Sequence, residues 1–474
     1  MGDNVPKRYW KSWEERVGAG DPPASSGHEF PEPVEGLAGQ VSRRGFLKAA
    51  GFTAAAALTS CTRAPVEKAI PYLNQPEVVV PGQASFYAST CAGCSAGCGI
   101  LVKCRDGRPI KLEGNPDHPI SRGGLCAVGQ AAVLDLYDSS RLKGPLLDGK
   151  AASWEDVDRV AVAKLETIRR NGGTVRFVSG TLTSPTVQAA VQRFLDRFTD
   201  ARHITYDALS CATILDAHER THGVRSLPRY RFERAEVILS LDADFLGTWI
   251  SPVEFTAGYR AGRTPEATPP RFSYHVQVEA RLSLTGSKAD QRILVAADEA
   301  GLLLTHVATR LARRANVPFV APGLEESSVP AKALDELADR LWMARGRSLV
   351  VCGRQDVPTQ ILVNFVNHLL GNYGTTLDLA QPSFQRQGND RELEVLLDDL
   401  DTGKVSALFL LGVNPLCELP GGTELTSALK RVPLTVSFAE RQDETAGLAH
   451  VVCPDHHFLE SWGDAEAVSG VVGL

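Results

Sequence analysis

The sequence has few methionines, no long apolar run and no excess of positive charge, and each absence excludes a class of protein. Two methionines in 474 residues argue against a methionine-rich copper site. No run of 18 or more apolar residues occurs, so the sequence predicts no transmembrane helix. The net charge of −6 and the lack of a basic stripe give a nucleic-acid partner little support.

Nucleotide-binding signatures are missing as well. Neither GxGxxG nor a Walker motif is present, which disfavours a standard NAD or ATP site. A second CxxC pair is also missing, although structural zinc sites commonly use two such pairs. With 43% hydrophobic and 22% charged residues, the composition is that of a soluble globular protein. The chain is long enough for two or three domains.

Four cysteines are the main chemical signal: Cys91, Cys94, Cys98 and Cys126. They follow the order CxxCxxxC, then 27 residues, then a further Cys. This asymmetric spacing favours a [4Fe–4S] cluster over zinc, and a disulfide framework is the least favoured interpretation because such frameworks typically staple short chains. Glycines lie beside the cysteines at Gly93, Gly97, Gly99, Gly123 and Gly124. They are expected to keep side chains away from the centre and to leave N–H groups free for sulfur.

The N-terminal residues predict export from the cytoplasm. Residues 42–61 read as a twin-arginine signal, SRRGFLK followed by a weakly apolar stretch, and residues 1–41 as a flexible leader. The signal ends in LTSC, which has the form of a lipobox with Cys61 as the lipidated residue. An incidental cysteine at this position has equal support. Because twin-arginine translocation carries folded proteins, we expect a cofactor-bearing protein on the periplasmic side of the bacterial cytoplasmic membrane.

Residues 80–145 are expected to form a small cysteine-rich β domain. Runs at 100–105 and 108–113, separated by Asp-Gly, predict two strands and a tight turn. Cys104 alternates with apolar residues on one face and is interpreted as a buried apolar side chain. His118 lies in a turn-rich loop and is interpreted as a hydrogen-bonded loop histidine.

Residues 146–474 predict an α/β body. Short apolar strands alternate with helical segments, at 174–178, 237–241, 349–352 and 407–411. Nearly continuous apolar strands are typical of parallel sheets covered by helices, so the predicted fold class is α/β with doubly wound, mostly parallel sheet domains. Ligands of such sheets bind at the carboxyl ends of the strands. Turn residues follow three of these strands, at Ser179-Gly180, Gly353-Arg354 and Gly412-Val413-Asn414-Pro415.

Together these features resemble the molybdopterin oxidoreductase superfamily. The stretches RDGRPIKLEGNPDHPISRGGLC, LLGVNPLCELPGG and HVVCPDHHFLESWGDAE resemble most its twin-arginine-variant branch, the large iron–sulfur subunit of alternative complex III, a membrane quinol oxidoreductase. The resemblance implies a [4Fe–4S] cluster on Cys91, Cys94, Cys98 and Cys126. It also implies partner subunits: a ferredoxin-like iron–sulfur half, a membrane quinol-binding subunit and cytochrome c subunits. Since full-length relatives continue into the ferredoxin-like half, we expect a split subunit or a truncated reading frame.

The resemblance gives weaker indications about a molybdenum cofactor. Gly412, Asn414 and Pro415 match a stretch that touches a guanine nucleotide in the superfamily. Relatives that bear the cofactor have Lys or Arg two residues after the last cysteine, but this chain has Val128. A neutral side chain cannot make the charge-assisted contact, which argues against electron passage to a pterin and makes molybdopterin guanine dinucleotide a doubtful cofactor. Cys211 lies in roughly the part of the sequence where the superfamily has its molybdenum ligand. It is interpreted as a small residue packed at a helix start.

Three functional hypotheses follow. The leading one is an iron–sulfur electron-transfer subunit of a membrane-associated respiratory quinol oxidoreductase complex. A cofactor-free structural scaffold of that complex and a molybdenum-dependent oxidoreductase of a small inorganic substrate stay open as alternatives. No catalytic residue is predicted, and the chain is not expected to be catalytic on its own.

Overall fold

A three-stranded antiparallel sheet carries the cysteine-rich part of the chain. The computed structural model describes Val80 and residues 82–474, so the leader, the twin-arginine signal and Cys61 lie outside the described residues. The strands of this sheet are β1 (Ala84–Thr90), β2 (Gly99–Arg105) and β3 (Arg108–Gly114), in the order β1-β2-β3. Asp106 and Gly107 have φ values of 50° and 77°, as a type I′ hairpin turn requires. The predicted hairpin is therefore confirmed.

One face of this sheet is covered by helix α1 (Ala127–Leu136). Alternate residues of β2 and β3 are buried beneath it together with apolar residues of the helix: Ile100, Val102, Cys104, Leu112, Ala132 and Val133. The period-two pattern of a strand places these side chains on one face. Cys104 is thus a buried apolar residue, as predicted.

The rest of the described chain alternates between strands and helices. The helices are α2 (Trp154–Arg170), α3 (Pro185–Leu195), α4 (Ala212–His222), α5 (Pro252–Ala261), α6 (Ala300–Ala315), α7 (Ala331–Met343), α8 (Val357–Leu369), α9 (Asp390–Asp401), α10 (Pro415–Glu418) and α11 (Gly422–Leu429). Short 3-10 turns lie at Phe232–Arg234, Gly286–Lys288 and Ala446–Leu448. The strands are β4 (Leu146–Leu147), β5 (Lys150–Ala151), β6 (Thr174–Ser179), β7 (Asp200–Thr205), β8 (Leu227–Tyr230), β9 (Val237–Leu241), β10 (Tyr274–Glu279), β11 (Gln291–Leu294), β12 (Ser348–Cys352), β13 (Leu377–Ser383), β14 (Val405–Leu411), β15 (Leu434–Ser437), β16 (Val451–Val452), β17 (Ala465–Val468) and β18 (Val471–Gly473).

Two sheets of the body are built from parallel strands. In the described residues, one has the order β5-β4-β16-β15-β14-β6-β7 and the other β11-β10-β9-β12. All pairs of the second sheet are parallel, and in the first only the edge strands β4 and β5 pair antiparallel. The apolar faces of helices cover these sheets, and all residues of strands such as β9 are buried. The predicted α/β fold class is confirmed.

A further sheet, β18-β17-β13-β8, was not predicted. Its pairs are antiparallel and irregular, with register shifts in β13 and β17. Prolines interrupt β8 and β13, and Pro within a run lowers the strand signal. Long-range pairing with each other defines β8 and β13.

Helix starts follow from local capping. The Ser153 hydroxyl accepts the Asp156 N–H at 3.1 Å and begins α2, and the Ser184 hydroxyl accepts the Val187 N–H at 3.0 Å before Pro185 begins α3. Both are preferred N-terminal residues. Among the helices that the structure describes, none is long and apolar enough to span a bilayer.

Two buried histidines make stability depend on pH. Burial lowers the pKa of both His218 and His275 to about 4, from about 6.5 in an unfolded chain. Between these values the unfolded state binds protons that the folded state does not. We therefore expect stability to fall as the pH is lowered from about 7 to about 4, by about 3 kcal/mol for each histidine.

Urea unfolding between pH 7 and pH 4 measures this effect. His275→Gln should flatten the dependence, because it removes one of the two titrating groups. His456→Gln changes an exposed histidine and should keep the wild-type slope. An unchanged slope in His275→Gln would contradict the assignment.

Candidate iron–sulfur site

The first three cysteines lie in the loop between β1 and β2. Cys91 follows β1 directly and Cys98 precedes β2, and the Cys91 N–H donates to the Cys98 carbonyl at 2.8 Å. This bond extends the antiparallel ladder by one step, so the two residues face each other where the hairpin opens. Cys94 lies in the loop itself and is exposed, whereas Cys91 and Cys98 are buried.

The fourth cysteine is brought to this loop by the turn-rich segment after β3. The Asn115 N–H donates to the Gly99 carbonyl at 2.9 Å, and the Gly123 N–H donates to the Asn115 carbonyl at 2.9 Å. Cys126 then begins α1 as its N-terminal cap, and its Sγ accepts the Gly129 N–H at 3.4 Å. A Cβ atom added to Gly129 would lie 3.6 Å from Cys91 Sγ, which shows how closely α1 approaches the loop.

The four thiols interact electrostatically. The pKa of Cys98 is raised to about 12, chiefly by burial and in addition by the neighbouring thiols of Cys94, Cys91 and Cys126. Burial also raises the pKa of Cys91, against the effect of the Gly93 N–H, and Cys94 and Cys126 add to the increase. Four thiolates this close repel one another unless cations compensate their charge. A metal-rich group that displaces the thiol protons fits this donor set.

A cluster and a single ion make different demands on this donor set. Among the residues that the structure describes, no three His, Cys, Asp or Glu side chains form a group that could hold one metal ion. Zinc draws its ligands around one ion. In a [4Fe–4S] cluster each cysteine binds a different iron, so the four sulfurs stand farther apart.

The glycines beside the cysteines have more varied roles than expected. Gly93 lies at the centre, since its Cβ would approach Cys91 Sγ to 3.6 Å. Gly99 instead packs against His118, since a Cβ added to Gly99 would lie 2.4 Å from the imidazole ring. Gly97 has φ +58° and faces Ala467. Gly123 (φ +84°) and Gly124 contact Pro116 and Val253, respectively. The expectation that all five face the centre is therefore wrong for four of them, which permit tight packing around it.

A cleft extends from the cysteine loop to the body of the protein. It joins one side of the loop to the carboxyl ends of β6 and β14, which are neighbours in the seven-stranded sheet. Its lining includes Cys91, Cys94, Gly180, Asp207, Arg386 and Gly412. Of the three strand ends expected to present ligands, those at Gly180 and Gly412 meet here. Gly353 follows β12 in the other parallel sheet.

The residues matched to a nucleotide contact are held by bonds within the chain. Gly412 lines the cleft with φ +63°. The Asn414 amide donates to Glu444 at 2.7 Å and accepts from the Thr445 hydroxyl at 2.6 Å. Pro415 is buried at the start of α10. The match to a nucleotide contact stays a prediction for these three residues.

The chain's own carboxylate occupies the start of α3. Asp464 accepts the Thr186 N–H at 3.2 Å and its hydroxyl at 2.7 Å, and it also accepts from the Ser184 hydroxyl. A helix N-terminus attracts anions through its free N–H groups and its dipole. In this protein the Asp464 carboxylate occupies that position. Trp462, two residues earlier, lines the cleft and is 96% exposed.

The other residues singled out from the sequence occupy clear positions. Val128 is 67% exposed on α1. It lies close to the cysteine loop, since a Cβ added to Gly93 would be 3.9 Å from one of its methyl groups. Cys211 is buried at the N-terminal end of α4, as the packing interpretation requires. His118 lies 3.0 Å from the Ser121 hydroxyl through Nδ1, and it is a hydrogen-bonded loop residue as predicted.

Sequence reasoning missed two charged groups near the centre. Glu254, on α5, is one of the charges that raise the pKa of Cys98; its partner is Arg229, 2.9 Å away, and both side chains are 8% exposed. Arg386 lies in the loop between β13 and α9 and contacts the cysteine loop. Both groups are distant in sequence from the cysteines, and neither belongs to a recognisable motif.

Comparison with known proteins assigns this site to a class. The Molybdopterin oxidoreductase Fe4S4 domain matches residues 84–138, which include all four cysteines. This match supports a [4Fe–4S] cluster in the chain.

Two individual proteins extend the comparison over most of the chain. The menaquinone reductase, molybdopterin-binding-like subunit of Nitratidesulfovibrio vulgaris (strain Hildenborough) is 25% identical over 431 residues, which cover 81% of this chain and 60% of that protein. Acetylene hydratase from Pelobacter acetylenicus has a TM-score of 0.62 at 15% identity, over 82% of this chain and 65% of its own. The second likeness shows a shared fold. These findings support the molybdopterin oxidoreductase family for this chain, which spans 60% of the length of the curated relative.

Proposed function

We propose that the chain is an iron–sulfur electron-transfer subunit of a membrane-associated respiratory quinol oxidoreductase of the alternative complex III type. The observation that carries the proposal is the convergence of Cys91, Cys94, Cys98 and Cys126 at the open end of one hairpin. A [4Fe–4S] cluster held there supplies one-electron transfer. The four cysteines would hold it, two of them, Cys91 and Cys98, are buried, and the Gly93 N–H donates to Cys91.

The exposed side of the site suits electron exchange with a partner. Cys94 and Cys126 are exposed, so one edge of a cluster at this position would lie at the surface. Beside them, α1 exposes two large apolar side chains to solvent, Val128 and Leu134, which are 67% and 68% exposed. Exposed apolar patches mark interaction sites. The menaquinone reductase relative is itself described as a subunit, which supports a multi-subunit complex here.

The partner surface makes one prediction. Leu134→Glu should weaken association with the neighbouring subunits by about tenfold or more, because it replaces an exposed apolar side chain of the proposed contact by a charged one. Co-purification of the complex through an affinity tag measures the change. Met343→Glu is a suitable control, since Met343 is an exposed residue at the end of α7. Equal recovery of the complex with both variants would contradict the assignment of this face.

Export by the twin-arginine route is part of the proposal. The motif at 42–48 supports a position on the periplasmic side of the cytoplasmic membrane. Replacing both Arg43 and Arg44 by lysine should leave the protein in the cytoplasmic fraction. Unchanged fractionation of the double variant would refute this part of the proposal without affecting the cluster.

Anaerobic purification tests the function directly. We expect about four irons and four sulfides per chain, broad visible absorbance, and an electron paramagnetic resonance signal that changes on reduction. Reduction by a quinol in the assembled complex should produce the same signal. A protein free of iron and sulfide, purified without oxygen, would refute the proposal.

A second candidate is a structural scaffold without cofactors. Asp464 and Asn414 favour it, because their side chains bond within the chain beside the strand ends where a nucleotide would approach. If the chain is a scaffold, a Cys94→Ser, Cys98→Ser double variant should leave assembly and quinol oxidation intact. Normal assembly with a large loss of quinol oxidation would favour the electron-transfer function instead.

A further inference from the structure

A short loop before α9, residues 385–388, ties the cysteine loop to the α/β body. The Ser95 hydroxyl donates to the Gln385 carbonyl at 2.5 Å, and the Gln385 amide donates to the Ala96 carbonyl at 3.2 Å. At the other end of the loop, the Gly388 N–H donates to Asp207 at 3.0 Å. Asp207 also accepts two bonds from Thr181, in the turn after β6. Through this short path the cysteine loop is fastened to the carboxyl end of the large sheet.

Arg386 occupies the centre of this loop. Its guanidinium donates to the Ser95 hydroxyl and, at 3.1 Å, to the Gln385 carbonyl. Ser95 directly follows Cys94, so the positive charge lies beside the cysteine loop. Arg386 is half-buried and lines the cleft together with Cys91 and Cys94.

The charge of Arg386 is not neutralised by a carboxylate. Within the described part of the chain, no Asp or Glu lies within ion-pair distance of it, whereas Arg391, five residues later, pairs with Asp216 at 3.0 Å and Glu219 at 3.3 Å. The charge of Arg386 also acts on Cys211, which is buried at the start of α4. Burial raises the pKa of Cys211 to about 12, and the charge of Arg386 is the largest effect that opposes this increase.

An unneutralised cation next to an iron–sulfur site has a direct consequence. Each electron that enters the cluster adds one negative charge, and a nearby positive charge stabilises the reduced state more than the oxidised state. Net charge and hydrogen bonding are among the factors that set cluster potentials. Partial burial strengthens the effect, because the interaction is screened less than at an exposed site.

We propose that Arg386 is a positioning residue of the iron–sulfur site, which holds the cysteine loop against the body through Ser95 and supplies the positive charge that raises the reduction potential of the cluster. This inference rests on the proposed electron-transfer function. The step it concerns is the uptake of one electron by the cluster from a quinol-derived donor and its release to an acceptor subunit. No bond is formed or broken at Arg386.

Redox titration followed by electron paramagnetic resonance tests the inference on the full protein. Arg386→Gln removes the charge and should lower the ratio of reduced to oxidised cluster at a fixed potential by about tenfold, equivalent to about 59 mV for one electron. Arg386→Lys keeps the charge and should restore most of the ratio. Arg391→Gln removes a paired arginine from the same region and should leave the ratio unchanged.

A second variant tests the inference even if Arg386→Gln loses its cluster. Gln387→Glu retains Arg386 and places a carboxylate beside it, so the ratio should fall in the same direction. If Arg386→Gln keeps its iron and has the wild-type potential, or if Gln387→Glu with full iron shows no decrease, the inference is overturned. Wild-type protein without iron overturns the proposed function, and this inference with it, so the two failures are distinguishable.

Discussion

Cys98→Ser should remove the cluster almost completely, with the iron content falling from about four per chain to near zero. Cys98 is buried at the open end of the β1–β2 hairpin and interacts with the other three thiols. A serine hydroxyl there would have to lose its proton to bind iron in place of a thiolate. Iron and sulfide analysis of anaerobically purified protein, with visible absorbance, measures the result.

Two cysteines elsewhere provide matched controls. Cys104 lies in the same small sheet and is buried in its apolar core, so Cys104→Ala should retain iron while losing about 1 kcal/mol of stability through one smaller core contact. Cys417 is exposed, and Cys417→Ser should be indistinguishable from wild type. Loss of iron in Cys104→Ala but not in Cys98→Ser would show that the ligand set is misassigned.

Arg229→Met should destabilise the protein by about 3–5 kcal/mol at neutral pH, because it leaves Glu254 buried without its cation. The two side chains are each 8% exposed, and their atoms are 2.9 Å apart. Burial already raises the pKa of Glu254, against the effect of Arg229, and removing the arginine raises it further. Since protonation then relieves the buried charge, the deficit should shrink as the pH falls toward the carboxyl's unfolded value of about 4.3.

Urea unfolding of three further variants separates this effect from general damage. The double variant Arg229→Met, Glu254→Met should recover most of the lost stability, since a buried ion pair can be replaced by apolar side chains at little cost. Arg159→Met breaks an exposed pair with Asp156, 75% and 46% exposed, and should cost less than about 1 kcal/mol. Equal losses for Arg229→Met and Arg159→Met would show that the buried pair contributes no more than a surface pair.

The fold was predictable where the signal was local. Asp106-Gly107 defined the turn of the β2–β3 hairpin, and continuous apolar runs located β6, β9, β12 and β14. β1 was missed, since its sequence ASFYAST leaves several side chains exposed and shows no clear alternation. The antiparallel sheet of β8 and β13 was missed as well, because it is defined by pairing between segments about 150 residues apart.

The candidate site was predictable only in part. Spacing alone selected the four cysteines, since the need for several thiolates in one place leaves a strong pattern in a short stretch of sequence. The glycines illustrate the limit of this reasoning. Gly99 was expected beside the centre but packs against His118, and a Cβ on Gly114 would lie 2.2 Å from the Gly123 carbonyl oxygen. Such close approaches depend on which segments meet, and a sequence pattern does not reveal that.

By itself the sequence determined the α/β class of the body and predicted the four candidate ligands and the twin-arginine signal, because each pattern depends on residue types at short spacings. The tertiary structure alone decided which charges surround those ligands. Arg386 reaches Ser95 across 291 positions of the chain, and Glu254 approaches Cys98 from a separate helix. Electrostatic energy depends on distance in space and on burial, so the environment of the cysteines was set only when remote segments packed together.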